Sequence, residues 1–435
     1  MRKIISFQIK NLIDLKPKIL LYLERYKVVA FYDNNGFCSK YQYSEYELIC
    51  GVEELSSFVG KSNNIFHELE DFVSITKDYL FGFFSYDLKN EIEPKLSSNN
   101  DDFLEFPNCF FFQPKFIFKL KNDIFTVEYI EEISTEIEVN NIFSEICSQS
   151  INLPILKFNC EVVSKISKQT YIETVNQLKK HIQRGDIYEV NFCQEFFNNN
   201  TKINPYEIFS LLNIESPMPF SAFFRLYDKF IISASPERFM KKKDSTLISQ
   251  PIKGTVRRGK NAMEDAKLRM QLLDSEKERA ENVMIVDLVR NDLSRTAKSG
   301  SVRVEELFGI YEFKHIFQMI STISSQPEEG INPIQSIKAA FPPGSMTGAP
   351  KIKAMELIEK YEKTKRGVYS GAVGYFDENL NFDFNVLIRS ILYNESANYL
   401  SFMVGGAITN KSDPENEYDE CLLKAKAMLS VLNNK

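Results

Sequence analysis

The sequence predicts a mixed α+β protein, on three observations. Its 435 residues are too many for one small core, so the chain forms one large domain or two intimately joined ones. Short apolar, strand-like runs recur along its length. Helical periodicities sharpen after residue 168. The composition, 43% apolar and 26% charged with 36 Phe and no Trp, is that of a soluble globular protein.

Residues 1 to about 150 read as strands and short helices rich in aromatics, with LFGFFSYD (80–87) as a buried strand. Residues 97–102 form a polar loop, and the weak patterning of 140–165 marks a loose boundary. Ile172, Val175, Leu178 and Ile182 share one face of a helix over 171–184, which Gly185 closes. Residues 187–197 alternate as a strand, with Tyr188, Val190 and Phe192 on one side and Glu189, Asn191 and Cys193 on the other. Two strands flank Tyr227-Asp228-Lys229, and a further strand covers 246–249. Helices are expected over 262–273, 275–294, 350–361 and 415–432.

A net charge of −6 excludes non-specific nucleic-acid binding and requires any anionic substrate to meet local cations. Seven scattered cysteines without a CxxC pair read as reduced thiols of a cytoplasmic protein. Charges interrupt every apolar run at the N-terminus, and no stretch reaches the ~20 apolar residues of a membrane span. His67, His181 and His315 have no metal-ligand spacing, and His181 reads as a solvated helix residue.

The richest segment is PIKGT (251–255). A lysine held there is partly desolvated, which lowers its pKa and frees a neutral amine as nucleophile. Taken alone, a lysine is usually a solvated surface group. Glu278 and Glu281 lie three apart at the start of one helix, and Glu417, Glu420 and Lys424 share a face of the last. Two such carboxylate pairs can make an oxygen-rich site for a hard cation; separately, each reads equally as a solvated helix face. GSMTGAPK (344–351) is a glycine-rich turn entering a helix, either structural or an anion cradle, and lacks P-loop spacing. Gly405-Gly406-Ala407 ends a strand as a tight turn or a place where backbone meets ligand. Arg389 lies in an apolar strand and needs a partner, either a bound carboxylate or an internal salt bridge. Glu237 is a buried acid of raised pKa or the partner of its neighbour Arg238.

Together GDIYEVNFCQ (185–194), SPERF (235–239), PIKGT, KERAENVMIVDLVRND (277–292), GSMTGAPK, SGAVGYF (370–376), LIRS (387–390), VGGAIT (404–409) and PENEYDECLLKAK (414–426) resemble the chorismate-utilising enzymes. That family comprises component I of the aminodeoxychorismate and anthranilate synthases, and the isochorismate and salicylate synthases. The resemblance spans residues 165–435, the expected chorismate-binding catalytic domain. It is weaker over 1–150, through FFSYDL (83–88), the part that in the family binds tryptophan.

The fold the resemblance implies is an α/β sandwich, two large antiparallel sheets packed together and flanked by helices. Members that aminate carbon 4 of chorismate carry PIKGT; those that aminate carbon 2 carry alanine at position 253. Lys253 therefore implies Mg²⁺-dependent conversion of chorismate and ammonia to 4-amino-4-deoxychorismate, for p-aminobenzoate and folate. The alternatives are anthranilate formation and a silent chorismate-binding paralogue.

The implied site is as follows. Lys253 attacks ring carbon 2, and Glu237 protonates the leaving 4-hydroxyl. Glu278, Glu281, Glu417 and Glu420 hold Mg²⁺. Arg389 and Tyr375 bind the enolpyruvyl carboxylate, and Thr347, Gly348, Gly405, Gly406, Ala407 and Lys424 complete the pocket. No glutaminase pattern is present, so a separate glutamine amidotransferase subunit would form a heterodimer and supply ammonia. Three positions depart from the family pattern. Glu189 replaces the usual glutamine of aminating members and the base lysine of isochorismate synthases. Gln318 replaces a histidine of the anthranilate synthases, and Ala407 replaces a glycine.

Overall fold

The computed structural model describes residues 2–9, 12–38, 43–61, 63–150 and 160–433. The boundary expected at 140–165 lies partly outside them. Overlapping its start, Glu136–Ser148 is a helix, capped by the Thr135 hydroxyl and burying Val139, Ile142 and Ile146.

Twenty strands join in one hydrogen-bonded network, and every ladder in it is antiparallel. Two arms run out from the strand Cys109–Lys121. The first passes through Leu48–Gly60, Val28–Asp33, Phe220–Leu226, Lys229–Ser235, Ser390–Asn394 and Tyr399–Ile408 to Glu189–Asn198. The second passes through Leu80–Phe84, Ala372–Phe376, Phe382–Val386, Arg238–Lys243 and Thr246–Gln250 to Ile316–Ser325. Ile316–Ser325 holds Ile252–Arg257 and Arg303–Glu312 at the arm's end. Strands from before residue 150 are thus built into both arms.

The arms pack face to face, as the expected sandwich requires. Phe83 of one meets Phe224 of the other edge to face, ring centroids 5.4 Å apart, within a core that also holds Phe81, Ile231 and Phe384. A second core lies between the first arm and its covering helices, through Ile19, Val139, Val175, Leu178, Phe209 and Met428. No helix among the described residues is long and apolar enough to cross a membrane, and all seven cysteines are free thiols.

Most expected elements form within three residues of their expected bounds: Lys168–Gln183, Ala262–Asp274, Glu276–Ser294, Lys351–Tyr361 and Pro414–Leu432 are helices. Three expectations are corrected. Tyr188 precedes its strand and is exposed, while Glu189 and the seven residues after it are buried on both faces. Gly405-Gly406-Ala407 ends no strand: Tyr399–Ile408 runs straight through it, paired with Asn191, Phe192 and Cys193. A Cβ on Gly405 would lie 2.1 Å from the Phe192 carbonyl, so glycine there serves strand packing. His181 is not solvated; its ring bonds the Asp186 carboxylate at 2.6 Å and the Tyr361 hydroxyl at 3.0 Å.

Candidate active site

The two arms curl so that their last strands, Glu189–Asn198 and Ile252–Arg257, come together. Lys253 sits where the ladder to Ile316–Ser325 slips register, between Ile252 and Thr255. Gly254 adopts φ +94° there, a conformation open to glycine, and this bulge re-aims the lysine. A Cβ on Gly254 would also stand 3.0 Å from a Glu278 carboxylate oxygen. The Lys253 amine reaches across to Glu189 Oε1 at 2.8 Å, with the two side chains only 11% and 1% exposed.

Sequence reasoning expected this amine to be depressed toward neutrality. The structure corrects that: burial does push it down, but Glu189, Glu281 and Glu237 together outweigh burial and hold it above its ordinary value. Without substrate or cation, Lys253 rests as an ammonium.

Glu237 lies between the strands Lys229–Ser235 and Arg238–Lys243. Its pairing with Arg238 does not occur. Arg238 turns the other way, to Asp383 at 2.8 and 3.1 Å and to Gln250 at 2.5 Å. Glu237 is left buried, and its carboxyl rises to about 7 through desolvation, with the Ser345 hydroxyl, Lys253 and Arg389 opposing. An acid raised in the folded state favours folding while protonated. That contribution is complete below the ordinary carboxylate value and is lost as pH climbs toward 7. Glu237→Gln should therefore gain up to roughly 3 kcal/mol over the native protein at pH 8 and little at pH 5. Urea-unfolding midpoints at the two pH values measure this, and equal differences at both would refute it.

Arg389 is not within a strand. It occupies the bend between Phe382–Val386 and Ser390–Asn394 at φ +51°, so tertiary contacts hold a non-glycine residue in the left-handed region. No ion pair engages it among the described residues. Burial pushes its guanidinium down to about 10, with Glu237 opposing. A half-buried, unpaired arginine suits an incoming carboxylate.

The helices Glu276–Ser294 and Pro414–Leu432 present their glutamates to a common space. Lys277 is held above its ordinary value by Glu281, Glu417, Glu278 and Glu420, although burial opposes them. Burial raises Glu278 and Glu417, and takes Glu281 to about 7. Glu420 is instead lowered, chiefly by Lys424, whose amine is 2.8 Å from Glu420 and 2.9 Å from the Gly405 carbonyl. A Cβ on Gly406 would point into this group, 3.3 Å from Glu417 Oε2 and 3.9 Å from Glu420 Oε1. Among the described residues no three His, Cys, Asp or Glu side chains close on a single point. The donor set is nonetheless that of a hard cation that takes one or two carboxylates and completes its shell with water or ligand oxygens.

Thr347 and Gly348 are buried beside Lys253's partner, since Gly348–Ala349 pairs with Glu189 and Val190. The Thr347 hydroxyl donates to the Gly344 carbonyl at 3.0 Å, and its own carbonyl accepts from the Asn191 N–H at 2.8 Å. Ala407, in register with Asn191, lies on the same wall. Tyr375 is not brought to this group. Its ring stacks on Phe81, Tyr79 and Tyr32, and it lines a separate cavity of about 70 Å³ with Ser44, Tyr46 and Phe220. Strand alternation from Ala372 aims position 375 at the N-terminal strands.

Sequence reasoning missed the buried support of this wall. Arg366 and Glu362 pair at 2.6 Å, both almost fully buried. Arg366 also donates to the carbonyls of Met346 (2.6 Å) and Asn191 (2.9 Å), and Glu362 accepts from the Cys193 N–H. Arg366 thus ties residues 344–349 to the strand bearing Glu189. Both residues lie past the end of the helix Lys351–Tyr361, in irregular backbone, so no periodic spacing announced the pair.

The family model described as chorismate binding enzyme matches residues 25–430, so the chain belongs to that family. It is 34% identical over 384 residues to aminodeoxychorismate synthase component 1 of Bacillus subtilis, covering 84% of this chain and 78% of the relative. It is 31% identical over 377 residues to anthranilate synthase component 1 of the same organism, covering 81% and 72%. Against a probable chloroplastic aminodeoxychorismate synthase of rice, identity is 42% over 270 residues. The chain spans 30% of that relative's length and 42% of its Arabidopsis counterpart's. The solved anthranilate synthase component I of Streptococcus pneumoniae shares the fold, with a TM-score of 0.78 over 89% of this chain and 93% of that one at 24% identity.

Proposed function

We propose that the protein aminates chorismate at carbon 4 with ammonia, giving 4-amino-4-deoxychorismate. The observation that carries this is Lys253: a buried amine among carboxylates, where two sheet arms converge beside a raised acid and an unpaired arginine. The similarity to aminodeoxychorismate synthases supports it; the similarity to anthranilate synthases leaves carbon 2 as the competing position.

Arg389 would take one substrate carboxylate. Glu278, Glu281, Glu417 and Glu420 would hold Mg²⁺, which supplies charge neutralisation for the other. Lys253, once deprotonated, attacks ring carbon 2, and both ring double bonds shift by one position as the carbon 4–oxygen bond breaks. Glu237, protonated near neutral pH, gives its proton to the departing hydroxyl. Ammonia then bonds to carbon 4, the carbon 2–nitrogen bond breaks, and Lys253 is released. Ammonia would come from a glutamine amidotransferase subunit, as the component 1 naming of the Bacillus relatives suggests.

The test is one incubation of protein, chorismate, ammonium salt and Mg²⁺, with products separated by chromatography. We expect 4-amino-4-deoxychorismate, and no turnover with a chelator in place of Mg²⁺. Anthranilate as the product would refute the assignment.

A further inference from the structure

We propose that Glu189 is the proton acceptor that unmasks the Lys253 amine, an inference that rests on Lys253 being the nucleophile. The structure shows the lysine touching one carboxylate. Glu189 Oε1 is 2.8 Å from its nitrogen, while Glu237, Glu278, Glu281 and Glu420 act on the same amine without an ion pair to it among the described residues. Glu189 is 1% exposed, so bulk water cannot readily serve instead. Its second oxygen is buried with no hydrogen-bond partner. A carboxylate pinned by several donors is a poor base; among the described residues this one is held by the ammonium it would deprotonate and by no other side chain.

Passing the proton within the pair turns two buried charges into two neutral groups, so the transfer leaves no uncompensated charge in the buried site. Backbone geometry fixes the acceptor. Glu189 pairs with Ala349, and Gly348 approaches so closely that a Cβ there would lie 2.2 Å from the Glu189 carbonyl.

The proton count closes. Lys253 gives a proton to Glu189, and its nitrogen lone pair forms the bond to carbon 2. The carbon 4–oxygen bond breaks, and the oxygen leaves as water with the proton of Glu237. Ammonia adds at carbon 4, and its extra proton passes to the Glu237 carboxylate. The carbon 2–nitrogen bond breaks, its electrons return to Lys253, and Glu189 hands the proton back. The sum is chorismate plus ammonia to aminated product plus water, with both glutamates restored.

A glutamine at 189 keeps a hydrogen-bond acceptor but cannot take the proton. The test compares native enzyme, Glu189→Gln, Glu189→Asp and Lys253→Ala across pH 6 to 9.5, following chorismate consumption and product identity. Glu189→Gln should be about a hundredfold slower than native at pH 7 and regain rate as pH rises, without a higher KM for chorismate. Glu189→Asp should be slower but keep the native pH profile, because it is still a carboxylate. A Glu189→Gln enzyme at native rate at pH 7, or identical pH profiles for Gln and Asp variants, would overturn the proposal. Failure of the underlying assignment shows differently: native enzyme making no 4-aminated product, or Lys253→Ala matching the native rate. Consumption is followed whatever the product, so the role of Glu189 is answered separately.

Discussion

Lys253→Ala should lower 4-amination of chorismate by about three orders of magnitude, or divert what turnover remains to carbon 2. Removing the amine leaves Arg389, the four glutamates and Glu237 in place, so chorismate should still bind with a near-native KM. The substitution also leaves Glu189 buried with no cation against it, so this variant should lose some stability. Two measurements separate the causes: kcat with product analysis reports the chemistry, and the unfolding midpoint reports the orphaned carboxylate. A variant with native kcat and native product would show that the amine forms no bond to substrate.

The second large effect is expected in stability. Arg366→Met should destabilise the fold by about 3–5 kcal/mol, because it strands the Glu362 carboxylate in a buried site. It also removes the bonds that hold the Met346 and Asn191 carbonyls. Glu362→Gln added to that variant should recover part of the loss. The amide can still accept from the Cys193 N–H, and it carries no charge to strand. Urea unfolding of the single and double variants measures this, and a double variant less stable than Arg366→Met would contradict the ion-pair account. Because Arg366 ties residues 344–349 to the Glu189 strand, the single variant should also raise KM for chorismate more than it lowers kcat.

Much of the site was legible as short motifs whose spacing is local. Glu278 and Glu281, or Glu417, Glu420 and Lys424, are neighbours on their helices by geometry alone, and the structure places them together accordingly. Glu237 was legible as a raised acid, but its freedom was not. That depends on Asp383, 145 residues away, drawing Arg238 aside. Tyr375 looked adjacent to the site because its motif is, yet strand alternation carries it to another cavity. The glycines at 405 and 406 looked like a turn, because a glycine pair is equally consistent with a turn and with a strand crowded by its neighbour.

The chain's local order determined the elements, the carboxylate-bearing helix faces and the lysine segment, since each depends on residues a few positions apart. Only the tertiary structure decided the charge state of Lys253. Its partner Glu189 lies in another strand, at the end of the other arm, and the two meet because both arms grow from Cys109–Lys121 and pack against each other. Burial alone would have neutralised the amine; a carboxylate brought in by the fold keeps it charged, because Coulomb attraction at contact distance in a desolvated space exceeds the cost of burying the ammonium.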